Sequence, residues 1–160
     1  TTPTVSVVGN LAAFARESSI VLANGDVAIG DENGLFHRFS AAGPVWTPAP
    51  TLGTAVAGPM VLSGTTAPFI VPTGAGKVYA LADDGTTKWQ TTLPSATLLR
   101  AGNIFTPPSQ PPGPTMSVAY FSSGNGRLYA VIVDGQLDAS APWPKAFHDP
   151  RNTNHAGPQP

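Results

Sequence analysis

"GKVYALADDGTTKW", Gly76 to Trp89, is the stretch on which the reading of this chain turns. It opens on a glycine, runs through Val78, Tyr79, Ala80 and Leu81, turns at Asp83-Asp84-Gly85 and ends on Trp89. Aligned on its two glycines, it has two counterparts: "GLFHRFSAAG" from Gly34 to Gly43 and "GRLYAVIVDG" from Gly126 to Gly135. The third position is apolar each time (Phe36, Val78, Leu128), and so is the sixth (Phe39, Leu81, Val131). The fourth carries a ring (His37, Tyr79, Tyr129). A tryptophan follows each copy, and Trp46, Trp89 and Trp143 are the only three in the chain.

The opening glycines lie 42 and then 50 residues apart. Strands average ~5–6 residues and hairpin loops ~2–5, so a unit of about 40 residues holds four antiparallel strands. "SIVLANGDVAIGDENG" reads as a strand, a turn at Asn24-Gly25, a strand from Asp26 to Gly30 and a second turn. Glycine and asparagine tolerate the positive φ that such turns need. "APFIVPTGAG" and "SVAYFSSGNG" fill the same slot ahead of the other two copies. Val45–Thr47, Thr87–Thr92 and Ala141–Phe147 are the expected outer strands. The expected units are roughly residues 18–50, 51–94 and 95–147, followed by a C-terminal tail, 148–160. No segment shows a capped helical period.

Composition agrees. The 160 residues suffice for one domain with a real core. Eighteen prolines and 17 glycines suit a chain that turns often, and 11% charged residues is well below the usual quarter. A net charge of −1, with the basic residues scattered, lacks the footprint of a nucleic-acid binder. No apolar run approaches the ~20 residues of a membrane span. The absence of cysteine excludes disulfides and thiolate metal sites. A surface rich in Thr, Ser, Ala, Gly and Pro points to an exported protein, extracellular or periplasmic. The opening Thr1-Thr2-Pro3 carries no initiator methionine, which suggests that an upstream segment has been removed.

An array of four-stranded sheets, each burying both faces on its neighbours, is a β-propeller. It explains why Val78 and Tyr79, at opposite pleat positions, are both apolar or aromatic; a half-exposed sheet would alternate. The expected fold is all-β: a partial propeller of about three blades plus a leading strand, Thr4–Val8. The stretch "GKVYALADDGTTKW" resembles the repeat of the PQQ-like (quinoprotein-type) β-propellers. That resemblance implies a tryptophan that docks on the turn of the next blade. It assigns structural docking roles to Ala80, Gly85 and Trp89 in the second copy, to Gly43 and Trp46 in the first, and to Ala130, Gly135 and Trp143 in the third. Arg38 stands at the alanine position of the first copy, and four extra residues precede Trp143 in the third. "WPKAFHDPRNTN", Trp143 to Asn154, also resembles a Trp-Pro…Phe…Asp…Thr segment found beside ring closure in exported members of the family. The plain reading of Asp149-Pro150-Arg151-Asn152 is a capped turn.

Candidates for chemistry are few. His37, His148 and His155 have no metal-ligand spacing among them, and His37 reads as a packed ring. Asp31-Glu32-Asn33-Gly34 has the oxygens of a calcium loop but lacks a later acidic ligand, so a hairpin turn is expected. Asp83-Asp84 and Asp134 read the same way, and Ser18-Ser19 and Ser122-Ser123 have no neighbouring base. No catalytic, metal or cofactor-binding residue is assigned. A quinone-dependent dehydrogenase would need about eight blades and an axial calcium site, as the resemblance implies, so quinoprotein catalysis and glycan binding stand as the alternatives to a binding or scaffolding module. The loop from Thr106 to Thr115 carries Pro107, Pro108, Pro111, Pro112 and Pro114 and is expected to be an exposed, extended insertion, read as a passive linker ahead of the alternative, an interaction loop for a partner. Three blades leave apolar faces at both ends. The expected partner is therefore the missing part of a ring of about six to eight blades, or a second copy of the chain.

Overall fold

The computed structural model describes residues 6–15, 17–108 and 113–146. They form no helix and twelve strands: β1 (Ile20–Val21), β2 (Val27–Gly30), β3 (Phe36–Ser40), β4 (Gly43–Pro44), β5 (Met60–Ser63), β6 (Phe69–Pro72), β7 (Lys77–Leu81), β8 (Thr87–Thr92), β9 (Asn103–Phe105), β10 (Met116–Ser122), β11 (Leu128–Asp134) and β12 (Gln136–Leu137). They build three antiparallel sheets, ordered β1-β2-β3-β4, β12-β5-β6-β7-β8 and β11-β10-β9. No helix among the described residues is long and apolar enough to cross a membrane.

The turns ahead of the three glycine-led strands close in the same way. Gly34, Gly76 and Gly126 donate to the carbonyls of Asp31, Thr73 and Ser123 at 3.2, 3.1 and 3.0 Å. The same three residues donate in return to Leu35, Lys77 and Arg127 at 3.0, 2.9 and 3.0 Å. The glycines sit at φ 82°, 74° and 78°, the left-handed region that a side chain enters only with strain. At Gly34 and Gly76 space also forbids one: a Cβ would lie 2.5 Å from the Thr54 nitrogen and 2.2 Å from the Ala96 oxygen.

The second sheet is the middle of the stack. Its β6 is buried at every position, Phe69 to Pro72. Alternate side chains feed two cores. Phe69, Val71, Tyr79 and Leu81 join Ile20, Ala28, Phe36 and Trp46 between the first and second sheets. Ile70, Val78 and Ala80 join Ile104, Ala119, Phe121 and Val133 between the second and third. The repeated ring position has a matching role. The Tyr79 hydroxyl donates to the Leu52 carbonyl at 3.1 Å and the Tyr129 hydroxyl to the Pro94 carbonyl at 2.7 Å. Each is thereby tied to the linker that precedes its own sheet.

The C-terminal part departs from the expected order. Ala141–Phe147 was expected as an outer strand of the third unit; instead the chain leaves the third sheet after β11. Strand β12 pairs with β5 through Gln136↔Ser63 and Leu137↔Leu62. After a turn, Trp143 bridges Val21 of β1, and Lys145 bridges Met60 of β5. Trp143 exchanges hydrogen bonds with Val21 at 2.8 and 3.2 Å, while the Pro144 carbonyl accepts from Val61 at 2.8 Å. Prolines 142 and 144 have no N–H to give a regular ladder, so this segment pairs by single residues, first to one sheet and then to the other. It covers the first-strand edges of two sheets that would otherwise stand open. The outer strand expected at Val45–Thr47 lies two residues earlier, as β4, leaving Trp46 beyond it. In the expected leading strand, Thr4 and Val5 lie outside the described residues, and residues 6–8 form no strand.

Candidate functional site

The most heavily built polar feature is the seam between the first two sheets. Trp46 is 8% exposed. Its ring lies at 5.6 Å from Phe36 and 5.3 Å, edge-on, from Phe69, and its Nε1 donates to the Asp83 carbonyl at 3.0 Å. A Cβ on Gly85 would stand 3.4 Å from the Trp46 ring, so the indole lies against a turn that carries glycine at that point. Arg38 completes the seam. Its Nε donates to Asp26 at 2.8 Å, and its Nη1 donates to the Asp83 carboxylate at 2.8 Å and carbonyl at 3.2 Å. Its guanidinium lies 5.8 Å from the Trp46 ring centre and 5.9 Å from that of Phe69. Planar, weakly hydrated guanidinium suits such a site between aromatic faces and carboxylates. Sequence reasoning treated Arg38 only as a departure from alanine. Nothing in its neighbours announced partners 12 and 45 residues away.

The other docking residues are placed differently. Trp89 is half-buried and packs with Tyr129 and Val131 against the second core. Ala80 is fully buried in that core, whereas Ala130 is exposed. The space before Gly135 is taken by the Ser63 carbonyl and Thr65 rather than by an indole. Before Gly43 the nearest group is the Val8 carbonyl, at 3.9 Å from an added Cβ. Trp143 is half-buried beside β1, not at the third sheet. In the proline-rich loop, Pro107 is half-buried and Pro108 and Pro114 are exposed; Pro111 and Pro112 lie outside the described residues, as do His148, Asp149, Arg151 and His155.

The remaining polar candidates hold turns together. Asp31 is 1% exposed. Its carboxylate accepts from the Asn33 and Leu35 backbones at 2.9 and 3.0 Å and from His37 Nε2 at 3.0 Å. Burial pushes this carboxyl up, but the bond from His37, the backbone bonds and the neighbouring imidazole together outweigh it and leave its pKa lowered. His37 also stacks on Phe39, with ring centres 5.8 Å apart. Asp84 accepts from the Thr86 hydroxyl and amide, which hold its pKa down. Asp134 accepts from Thr65, and Ser123 exchanges bonds with Thr97.

Two hollows border these groups. A cleft of about 50 Å³ near Asp31 and Val56 is lined by the half-buried Glu17 and the exposed Arg100, paired at 3.6 Å, and admits little more than water. An open groove of about 320 Å³ lies over Arg38, Phe69 and Asp83. Its guanidinium is already held by two carboxylates, so the groove is the mouth of the seam. Among the described residues, no three His, Cys, Asp or Glu side chains come together to hold a metal ion.

No protein-family model matches this chain, and no curated protein does either.

Proposed function

We propose that this chain is a non-catalytic module for binding or scaffolding, built as part of a PQQ-like β-propeller in an exported bacterial protein. The observation that carries the reading is the seam of Trp46, Arg38 and Asp83. An indole from the unit ahead lies on the glycine turn of the unit behind, as the family resemblance implies for blade docking. The three alike turns and the two tyrosine hydroxyl bonds to preceding linkers support a repeated unit. The carboxylates and the histidine that could do chemistry are spent on turns and seams, which supports a structural role over a catalytic one. The returning segment at Trp143 and Lys145 closes the edges of β1 and β5, which suits a module whose sheets are held together by their own chain.

Titrating the purified chain with pyrroloquinoline quinone and Ca²⁺ tests this. The expected result is no saturable cofactor absorbance change and no alcohol-dependent dye reduction. Turnover with the loaded chain would replace the module reading with a quinoprotein dehydrogenase. Retention on a glycan array, lost with aromatic substitutions, would specify a carbohydrate ligand.

A further inference from the structure

Large exposed apolar side chains are not spread over this surface. Among the described residues they are Val7, Val8, Phe14, Val45, Leu98, Phe105, Met116, Tyr120, Leu128 and Ile132. Three fall in the segment before the first sheet, and five fall on the third.

The five on the third sheet share one face. Ile132 pairs with Val118, which pairs with Phe105; Tyr120 pairs with Ala130; Met116 lies at the β10 end of the same row. Directly paired residues of neighbouring strands point to the same side. Leu128 and Ile132 are 70% and 69% exposed. The corresponding positions of the second sheet, Val78 and Ala82, are 0% and 7% exposed, and Val78 packs in the core that the third sheet covers. In the first sheet the corresponding Phe36 is 0% exposed, under the second sheet. The face that the first two sheets give to a successor is therefore present on the third, and no described residues cover it. The turns agree. The linker to the next sheet closes on Gly34 at Thr54 and on Gly76 at Ala96, whereas nothing stands within 4 Å of a Cβ on Gly126.

At the other end, the first sheet's opposite face is partly overlaid. Gly9 lies on the Phe39 ring, and the Phe14 carbonyl accepts from the Glu32 amide at 2.9 Å. Residues 6–15, "SVVGNLAAFA", carry no charge, and Val7 and Phe14 are each 83% exposed. Exposed apolar side chains thus stand at both ends of the stack.

We propose that the outer face of the third sheet is a docking surface for a second copy of this chain, met head to tail by the segment that overlies the partner's first sheet. This rests on the stacked-unit reading. Each existing seam joins the third-position side of one sheet to an apolar surface on the next, and among the described residues the third sheet's third-position side and the segment over the first sheet are the exposed counterparts. Two copies related by a two-fold axis form two such seams and bury both ends.

Light scattering of the intact chain across a range of concentrations reads the association. The expected species at high micromolar concentration is a dimer, twice the 16.4 kDa chain. L128K/I132K on the outer face and V7K/V8K on the overlying segment each break both seams, so each variant alone is monomeric. Mixed together they recover one seam, because each retains the surface that the other lacks, and dimers reappear with weaker affinity. A wild-type monomer at every concentration overturns the proposal. So does association untouched by L128K/I132K, or failure of the mixture to recover it. The substituted side chains are exposed, so urea midpoints equal to that of the wild type at concentrations too low for association confirm that both variants fold. Should either unfold, hydrogen exchange in the unsubstituted chain decides: β11 amides slow with concentration if the face docks and do not otherwise. A monomer whose first seam responds to substitution at Trp46 would refute the docking while leaving the stacked units standing.

Discussion

Trp46→Ala removes the indole that joins the first sheet to the turn of the second. The ring is 8% exposed and touches Phe36, Phe69 and the Arg38 guanidinium. Truncating a buried Trp or Phe to Ala costs ~3–5 kcal/mol, transfer and cavity together. The lost Nε1 bond adds little to this, because the Asp83 carbonyl keeps Arg38 Nη1 at 3.2 Å. Against the ~5–15 kcal/mol stability of an ordinary domain, the loss is a large share of the whole. Trp46→Phe keeps most of the apolar contact and gives up the donor, so it costs about 1 kcal/mol. Trp89→Ala takes away a half-buried ring and costs less than Trp46→Ala. Urea unfolding followed by far-ultraviolet circular dichroism gives all three, with tryptophan emission avoided because the substitutions alter it. The expected order is Trp46→Ala, then Trp89→Ala, with unchanged slopes. A loss below about 1 kcal/mol for Trp46→Ala, or a larger loss for Trp89→Ala, would refute the seam as the main joint.

Arg38→Met leaves the buried Asp26 carboxylate without its cation and costs ~3–5 kcal/mol; the D26N/R38M pair recovers much of that in the same urea assay. Gly76→Ala and Gly126→Ala share the left-handed strain of ~1–2 kcal/mol, but only Gly76→Ala also drives a Cβ to 2.2 Å from the Ala96 oxygen, so its melting temperature falls further. Asp31 has a lowered folded pKa, so its stabilisation is fully present above the ordinary carboxylate pKa and is lost as pH falls through the folded value. Stability measured against pH in the acid range therefore falls less steeply for Asp31→Asn than for wild type. Replacing residues 108–113 with a short glycine bridge, while keeping Thr106 and Thr115, leaves the urea midpoint unchanged, because the Thr106–Ser117 and Gly135–Thr115 bonds survive.

Local features were the most legible part of the sequence. Asn24-Gly25 and the three glycine-led strands mark turns that structure closes with the same bonds, because positive φ is a residue-level property. Val78 and Tyr79, at opposite pleat positions, read as covered on both sides, and both are buried. The seam chemistry was only half legible. Trp46 and Gly85 stand in register in the sequence, but Asp26 and Asp83 become partners of Arg38 only once two sheets face each other. The fate of residues 136–146 was not legible at all. Ala141, Trp143 and Ala146 are apolar at spacings that suit the edge of any sheet, and local pattern does not say which edge is open. That choice belongs to the whole stack, where β1 and β5 offered unpaired edges.

The departure of that segment also bears on the ends of the stack. Had residues 136–146 stayed beside β11, the third sheet would have a fourth strand and the first strands of the other two sheets would be bare. The chain instead closes the first-strand edges of β1 and β5 and leaves β11, which carries the exposed Leu128 and Ile132, as a sheet edge. Closing these edges buries Ala141, Lys145 and Ala146, with the Lys145 ammonium donating to the Ala146 carbonyl at 2.6 Å. The second sheet is consequently supported on both faces and along its β5 edge, whereas the third is supported on one face. In a stack whose stability is a sum over neighbouring contacts, the third sheet, whose outer face the described residues leave open, gains a further term from a partner on that face.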